Sequence, residues 1–297
     1  EINRQRQNLS ITAVPRGTYA PLPPGNHKAT DYYVSKSCEV GGLDYGVRQI
    51  ERIVGKQADY LVFVGFSQAL GLFRQLDLPT TETLQWLRHR QGYAIGEPQR
   101  ARNHSTFLKH LMTKYSGQLD SSFGVPVQYI MYQLLRTDLT FNQSKQLIQE
   151  LGSYELEQHP ERVSLYMRQS YDVRDIPFDP DHIDDDLQAM LRPIAHIIPE
   201  GAYTGETEKE AQDELLRSIE DGLDEPEFVA WAYANYLWLQ IEDEGAREQL
   251  HFDLLTTYVE HLPEDDPRRQ ELLADYIIEM EDLGKEEWAK LGKAYLE

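Results

Sequence analysis

The sequence is short of cysteine: Cys38 is the only one in 297 residues. A single thiol excludes an intramolecular disulfide framework and any zinc or iron–sulfur centre built on several thiolates of one chain. A reducing, cytoplasmic location is the expectation that follows. Long apolar runs are missing too, since none approaches 18 residues, and Arg4 and Arg6 are followed by no apolar stretch of the kind that drives secretion. Neither a membrane span nor a leader is therefore read. No Gly-x-x-x-x-Gly-Lys loop and no Gly-x-Gly-x-x-Gly turn occurs, which removes the commonest phosphate-cradling motifs. Positive charge is scarce, with 29 Lys+Arg against 50 Asp+Glu and a net charge of −21.

What is present is enough for a folded protein. Hydrophobic residues make up 40% of the chain, and its four Trp, 18 Tyr and nine Phe are spread along the whole length. A chain of this size buries roughly 75% of its unfolded surface, so wholesale disorder is excluded and no staples are needed. The charge is divided unevenly. Residues 1–150 hold 17 Lys+Arg against 12 Asp+Glu, while residues 151–297 hold 12 against 38. Adaptation to high salt would acidify the surface throughout. A one-sided distribution points to two modules with separate partners, or to modules that attract each other.

Residues 1–42 are rich in Pro and Gly, with one alternating stretch near Leu9–Val14 that suggests a lone strand. They read as an extended arm. Residues 43–198 read as a mildly basic module, mixed α/β or helical, with helical spacing over 44–56, 80–90 and 141–151. The apolar runs Tyr60–Phe73 and Gly124–Leu135 fit either a buried strand or a buried helix. Residues 199–297 read as an acidic helical bundle or set of helical hairpins. Acid–Pro starts at Asp179-Pro180, Asp224-Glu225-Pro226 and Asp266-Pro267 predict helices near 180–192, 226–241 and 267–283, with others near 207–221, 245–262 and 285–296. Val229–Leu239, apolar nearly all round, is expected to be the central helix. The fold class is mainly α.

Three motifs carry chemistry. Gly65-Phe66-Ser67-Gln68-Ala69, after the apolar Tyr60–Val64, resembles the nucleophile elbow of α/β-hydrolases, in which small residues let a tight strand-to-helix turn expose a serine. The resemblance implies Ser67 as nucleophile, with a base drawn from His159, His182 or His196. The Pro/Gly-rich 60 residues upstream leave little room for the sheet such an elbow needs. Glu248-x-x-His251 has the one-turn spacing of a di-iron ligand pair, but it occurs once in the acidic half and two copies are required, so neither a metal nor a cofactor is expected. Residues 85–114 form a cationic stripe with a local charge of +5. Arg88, Arg90, Arg100, Arg102, Lys109 and Lys114 alternate there with Trp86, Tyr93 and Phe107, a pattern suited to a phosphate backbone with stacked bases or to an acidic protein surface. The leading expectation is a non-enzymatic interaction or assembly protein with charge-asymmetric halves, self-associating or bound to a protein partner. A serine hydrolase and a nucleic-acid binder are the alternatives.

Overall fold

The computed structural model describes residues 1–88, 96–121, 125–191 and 208–296. The protein is mainly helical, 62%, with a small mixed sheet in the N-terminal part. The chain forms two units, and the second is assembled from three separate stretches. Unit 1 is Glu1–Leu61, Pro79–Phe123 and Thr137–Ile197; unit 2 is Val62–Leu78, Gly124–Arg136 and Ile198–Glu297.

In unit 1 the alternating stretch near Leu9 is a strand, but it is not alone. β1 (Ile2–Asn3) lies antiparallel to β2 (Asn8–Ala13), with Ile2 opposite Leu9, and β5 (Val163–Met167) runs parallel to β2, from Leu9 opposite Val163 to Ala13 opposite Met167. Leu9 and Val163 are buried with Tyr154 and Leu156, and Ile2, Ile11, Met112 and Leu151 pack around them. A strand of six residues gains stability from such pairing and from one covered face, which the first 42 residues could not supply by themselves. α1 (Val34–Gly41) and α2 (Leu43–Val54) follow, packed on each other, and then α4 (Thr80–Arg88). Next come α5 (Gly96–Ser121), α7 (Phe141–Gly152) and α8 (Ile183–Leu191). Thr140 caps α7: the Thr140 hydroxyl accepts from the Gln143 amide, and the Gln143 side chain accepts from the Thr140 N–H at 2.8 Å.

α5 is the longest helix, at 26 residues, and nothing in the apolar spacing announces it. Its inward face explains why. Gln99, Asn103 and Ser105 are buried there beside Phe107 and Tyr115. The Gln99 amide donates to Asn103 Oδ1 at 3.0 Å and to the Arg174 carbonyl at 2.8 Å, and it accepts from the Arg174 N–H at 2.9 Å. A helix held by buried amides has no apolar stripe for a periodicity argument to find.

In unit 2 the run Tyr60–Phe73 resolves into strand, turn and helix: β3 (Val62–Phe63), extended Gly65, then α3 (Phe66–Gln75). β3 belongs to a two-stranded sheet with β4 (Arg136–Thr137). The second apolar run becomes α6 (Val125–Gln133), and α9 (Glu208–Glu220), α10 (Pro226–Ala234), α11 (Glu244–His261), α12 (Arg268–Asp282) and α13 (Glu286–Leu296) complete the unit. On α11 the residues Leu250, Leu254, Leu255 and Val259 are each 1% exposed or less, one apolar stripe that feeds two clusters. α3 packs on the turn after α10 because Gly71 allows it: a Cβ there would stand 2.7 Å from Leu239 Cδ1. Gly284, with φ +70°, turns the chain between α12 and α13.

Two expectations about helices need correction. Val229–Leu239 is not one helix. α10 stops at Ala234, Tyr236 takes φ 54°, and a 3-10 turn spans Leu237–Gln240. Asn235 turns its side-chain amide back onto the Trp231 carbonyl at 2.7 Å, the local competition that ends helices. As a result Trp231 is 54% exposed, while Trp238 is buried. Of the acid–Pro starts, only Pro226 opens its helix inside the first turn; Pro267 is itself the N-cap of α12, and Pro180 precedes α8 by a turn held on Asp179.

Candidate functional site

The Ser67 motif has the strand–turn–helix order of an elbow, yet its serine is enclosed. Ser67 is 5% exposed, lies in the first turn of α3 without positive φ, and accepts a hydrogen bond from Gln240 Nε2 at 3.0 Å. A nucleophile needs an imidazole acceptor on that hydroxyl, and an amide donor stands there instead. Two of the histidines that the sequence offered pair elsewhere, His159 with Glu161 at 3.1 Å and His182 with Asp179 at 2.9 Å; His196 lies outside the described residues. Arg74, one helical turn above Gly71, donates to the Leu239 and Ile241 carbonyls, and burial lowers its pKa to about 10. Ser67 and Arg74 thus fasten α3 to the turn at 237–241.

The cationic stripe is dispersed along unit 1. Arg88 closes α4 and is exposed; Arg90 lies outside the described residues, as does Tyr93. On α5, Arg100 pairs with Glu97 at 2.8 Å and Arg102 with Asp175 at 2.5 Å. The Asp175 carboxyl is held below the usual carboxylate range by the Arg102 hydrogen bond first, with Lys109 adding to it. Lys114 stands 5.5 Å from the Tyr115 ring. The aromatics expected to stack on bases are interior: Trp86 is 0% and Phe107 6% exposed, each edge-on to Phe178 at about 5 Å. What the sequence shows as a charged, aromatic face is a buried aromatic cluster with arginines paired at its margin.

The Glu248-x-x-His251 pair sits in the interior of unit 2, and each partner is committed. Glu248 meets Lys285 at 2.5 Å and Arg247 at 3.5 Å. His251 stacks on Trp238 at 4.0 Å and meets Tyr276 edge-on at 4.9 Å, and burial drives its pKa down to about 3. It is a neutral ring in an aromatic stack. No group of three or more potential ligands with metal-binding geometry occurs among the described residues.

Next to that stack lies a cavity of about 170 Å³ between α6, the end of α10 and α12. Its lining residues include the aromatics Tyr129, Tyr233, Tyr236, Trp238 and Tyr276. Several of these side chains are held by further contacts. Tyr233 stacks on Tyr258 at 5.3 Å and lies 5.4 Å from Trp238, and the Tyr236 hydroxyl donates to the Gln133 carbonyl at 2.6 Å. Arg136 holds the end of α10 through the Ala234 carbonyl at 3.1 Å. The acidic members of the lining are Asp275 and Glu279. Among the described residues the half-buried Glu279 carboxylate makes no hydrogen bond and no ion pair. Burial, then the negative charges of Glu248 and Asp275, push its pKa up to about 7, with Lys285 opposing. Tyr276 is 2% exposed and its hydroxyl is also unpartnered. A confined, aromatic space with an uncompensated acid can hold a cation; it has no nucleophile and no base–acid pair in contact.

No family model and no curated protein matches the chain. Among solved structures there are distant likenesses. TagV of B. subtilis is 14% identical over 64% of this chain and 86% of its own, with a TM-score of 0.45. A transcriptional regulator from Enterococcus faecalis is 13% identical over 64% of this chain and 79% of its own, at 0.47. Likenesses this low carry no functional conclusion.

The cavity was not legible in the sequence. Tyr233, Tyr236 and Trp238 read as core, Tyr129 as part of an apolar run, and Glu279 as one acid among many. No local signal marks residues that come together from positions 129, 233 and 279.

Proposed function

We propose that the protein is a non-enzymatic interaction protein whose acidic, helical C-terminal half recruits a basic protein partner. One observation carries this reading: the negative charge is concentrated in one unit. Unit 2 holds 10 Lys+Arg against 29 Asp+Glu, whereas unit 1 holds 19 against 21. Acids such as Asp213, Glu214, Glu264 and Asp265 are exposed in unit 2, where a cationic surface gains both faster encounter and affinity. With its sequence segments regrouped, unit 1 is nearly neutral and its α5 arginines are paired, so an external basic partner is favoured over head-to-tail association of copies. The helical hairpins of unit 2 serve as the rigid support for that surface, and we assign the protein to the cytoplasm on its single cysteine.

The test compares charges in the two units. Poly-lysine binding by the full chain is measured in rising salt, and screening should weaken it about tenfold or more between 50 and 300 mM. Changing Asp213 and Asp265 to Asn and Glu214 and Glu264 to Gln should weaken binding further than the same treatment of Glu155, Glu157, Asp184 and Asp185 in unit 1. Equal effects of the two variants, or binding indifferent to salt, would remove the proposal.

A further inference from the structure

We infer that the cavity bounded by Tyr233, Tyr236, Trp238 and Tyr276 and by Glu279 is a binding site for an alkylammonium group. Size sets the first bound. A cavity of roughly 150 Å³ accommodates a six-carbon ring, so about 170 Å³ takes a trimethylammonium head with a short chain and excludes a folded peptide segment. Wall chemistry sets the second. Aromatic faces carry a negative quadrupole that attracts a cation, most strongly where water is excluded. They offer little to an anion, and they lack the oxygen shell a hard metal ion requires. Charge decides between a cation and a neutral guest of the same shape. Glu279 lies in the lining without a counter-ion, Asp275 lies one helical turn away on α12, and Glu248 bears on Glu279 from α11. The nearest cation, Lys285, is occupied by Glu248 and by Glu244 at 3.2 Å. On the far side of the lining Arg136 donates to the Ala234 carbonyl and bears on Tyr236, so neither cation forms an ion pair with Glu279, and an entering ammonium supplies that partner. The walls are held in place before any ligand arrives, by the Tyr233–Tyr258 stack, the Trp238–His251 stack and the Tyr236 bond to Gln133, so little ordering cost falls on binding. This site is independent of the outer acidic faces and stands whether or not they bind a partner.

Choline and its neutral isostere 3,3-dimethyl-1-butanol provide the test, titrated into the full chain with calorimetry and Trp fluorescence as readouts. Choline should bind at least tenfold more tightly than the alcohol. Glu279→Gln, which keeps shape and removes charge, should erase that preference, and Tyr233→Leu should weaken choline several-fold. The melting temperature of each variant shows whether it is folded. Choline affinity should rise between pH 6 and pH 8 as Glu279 ionises against Glu248, Asp275 and Lys285 and beside the Tyr233 and Tyr236 hydroxyls, and Glu279→Gln should flatten that rise. Equal binding of choline and the alcohol would mean an apolar cavity only, and would overturn the inference. So would choline binding unchanged by Glu279→Gln, or no choline binding at 50 mM. A short peptide with a trimethyllysine distinguishes the source of the group. Binding tighter than choline assigns it to a partner's side chain and weaker binding to a free ion, and both keep the site.

Discussion

Units 1 and 2 solve burial differently. Unit 1 places amides inside, Gln99 and Asn103, and satisfies them with each other and with the backbone of Arg174. Unit 2 places charge inside, Glu248 with Lys285 and Arg247, and one helical turn along α11 it stacks His251 among aromatic rings. Neutral groups that find partners cost little to bury, while ions must be matched in number as well as geometry. Glu279 is the unmatched one, so the unit with the larger negative charge also has the cavity with an unpaired acid.

The largest expected effect comes from breaking the buried ion pair. Lys285→Met leaves Glu248 without its nearest cation, and should cost about 3–5 kcal/mol. Adding Glu248→Gln should return most of that loss. Heat-capacity scans should show the loss in the transition of unit 2, with unit 1 melting as before. A common shift of all transitions would mean that the contrast between the units does not extend to their stability.

A smaller effect separates Glu279 from His251, two titratable groups of unit 2 whose pKa values move in opposite directions. Glu279 binds its proton more tightly folded than unfolded, with a folded pKa of about 7, so its contribution is full below about pH 4.5 and is lost as pH rises through 7. His251, lowered to about 3, contributes above its ordinary pKa and loses that contribution as pH falls toward 3. Glu279→Gln should remove a decline of about 1–2 kcal/mol between pH 5 and pH 8, allowing for partial solvent screening. Denaturant unfolding across that range measures it, and an unchanged slope would mean that Glu279 is well solvated.

The smallest effect tests unit 1. Thr140→Ala removes the α7 capping box and should cost about 1 kcal/mol, with no change in choline or poly-lysine binding. The cap was readable because it is local: Thr140 and Gln143 are three residues apart and need only each other. The same holds for Gly284, whose missing side chain permits the positive φ that the turn between α12 and α13 needs. α5 was unreadable because its buried face is polar, and the break in Val229–Leu239 because the one polar residue there, Asn235, is outnumbered by apolar neighbours whose packing is decided elsewhere in unit 2.

The sequence by itself determined the mainly helical class, most helix positions in the acidic half, the strand–turn–helix form as one of two options for Tyr60–Phe73, and the excess of negative charge. All of these depend on composition or on residues within one or two turns of each other. Tertiary structure decided which segments belong together. Val62–Leu78 and Gly124–Arg136 join the acidic helices because their apolar faces are completed by Leu239 and by α12, more than 100 residues away. It also decided that Ser67 is a buried anchor, that Trp86 and Phe107 are core, and that Tyr129, Tyr233 and Glu279 share one cavity. Burial and pairing depend on what the rest of the chain brings alongside, and local spacing carries no record of it.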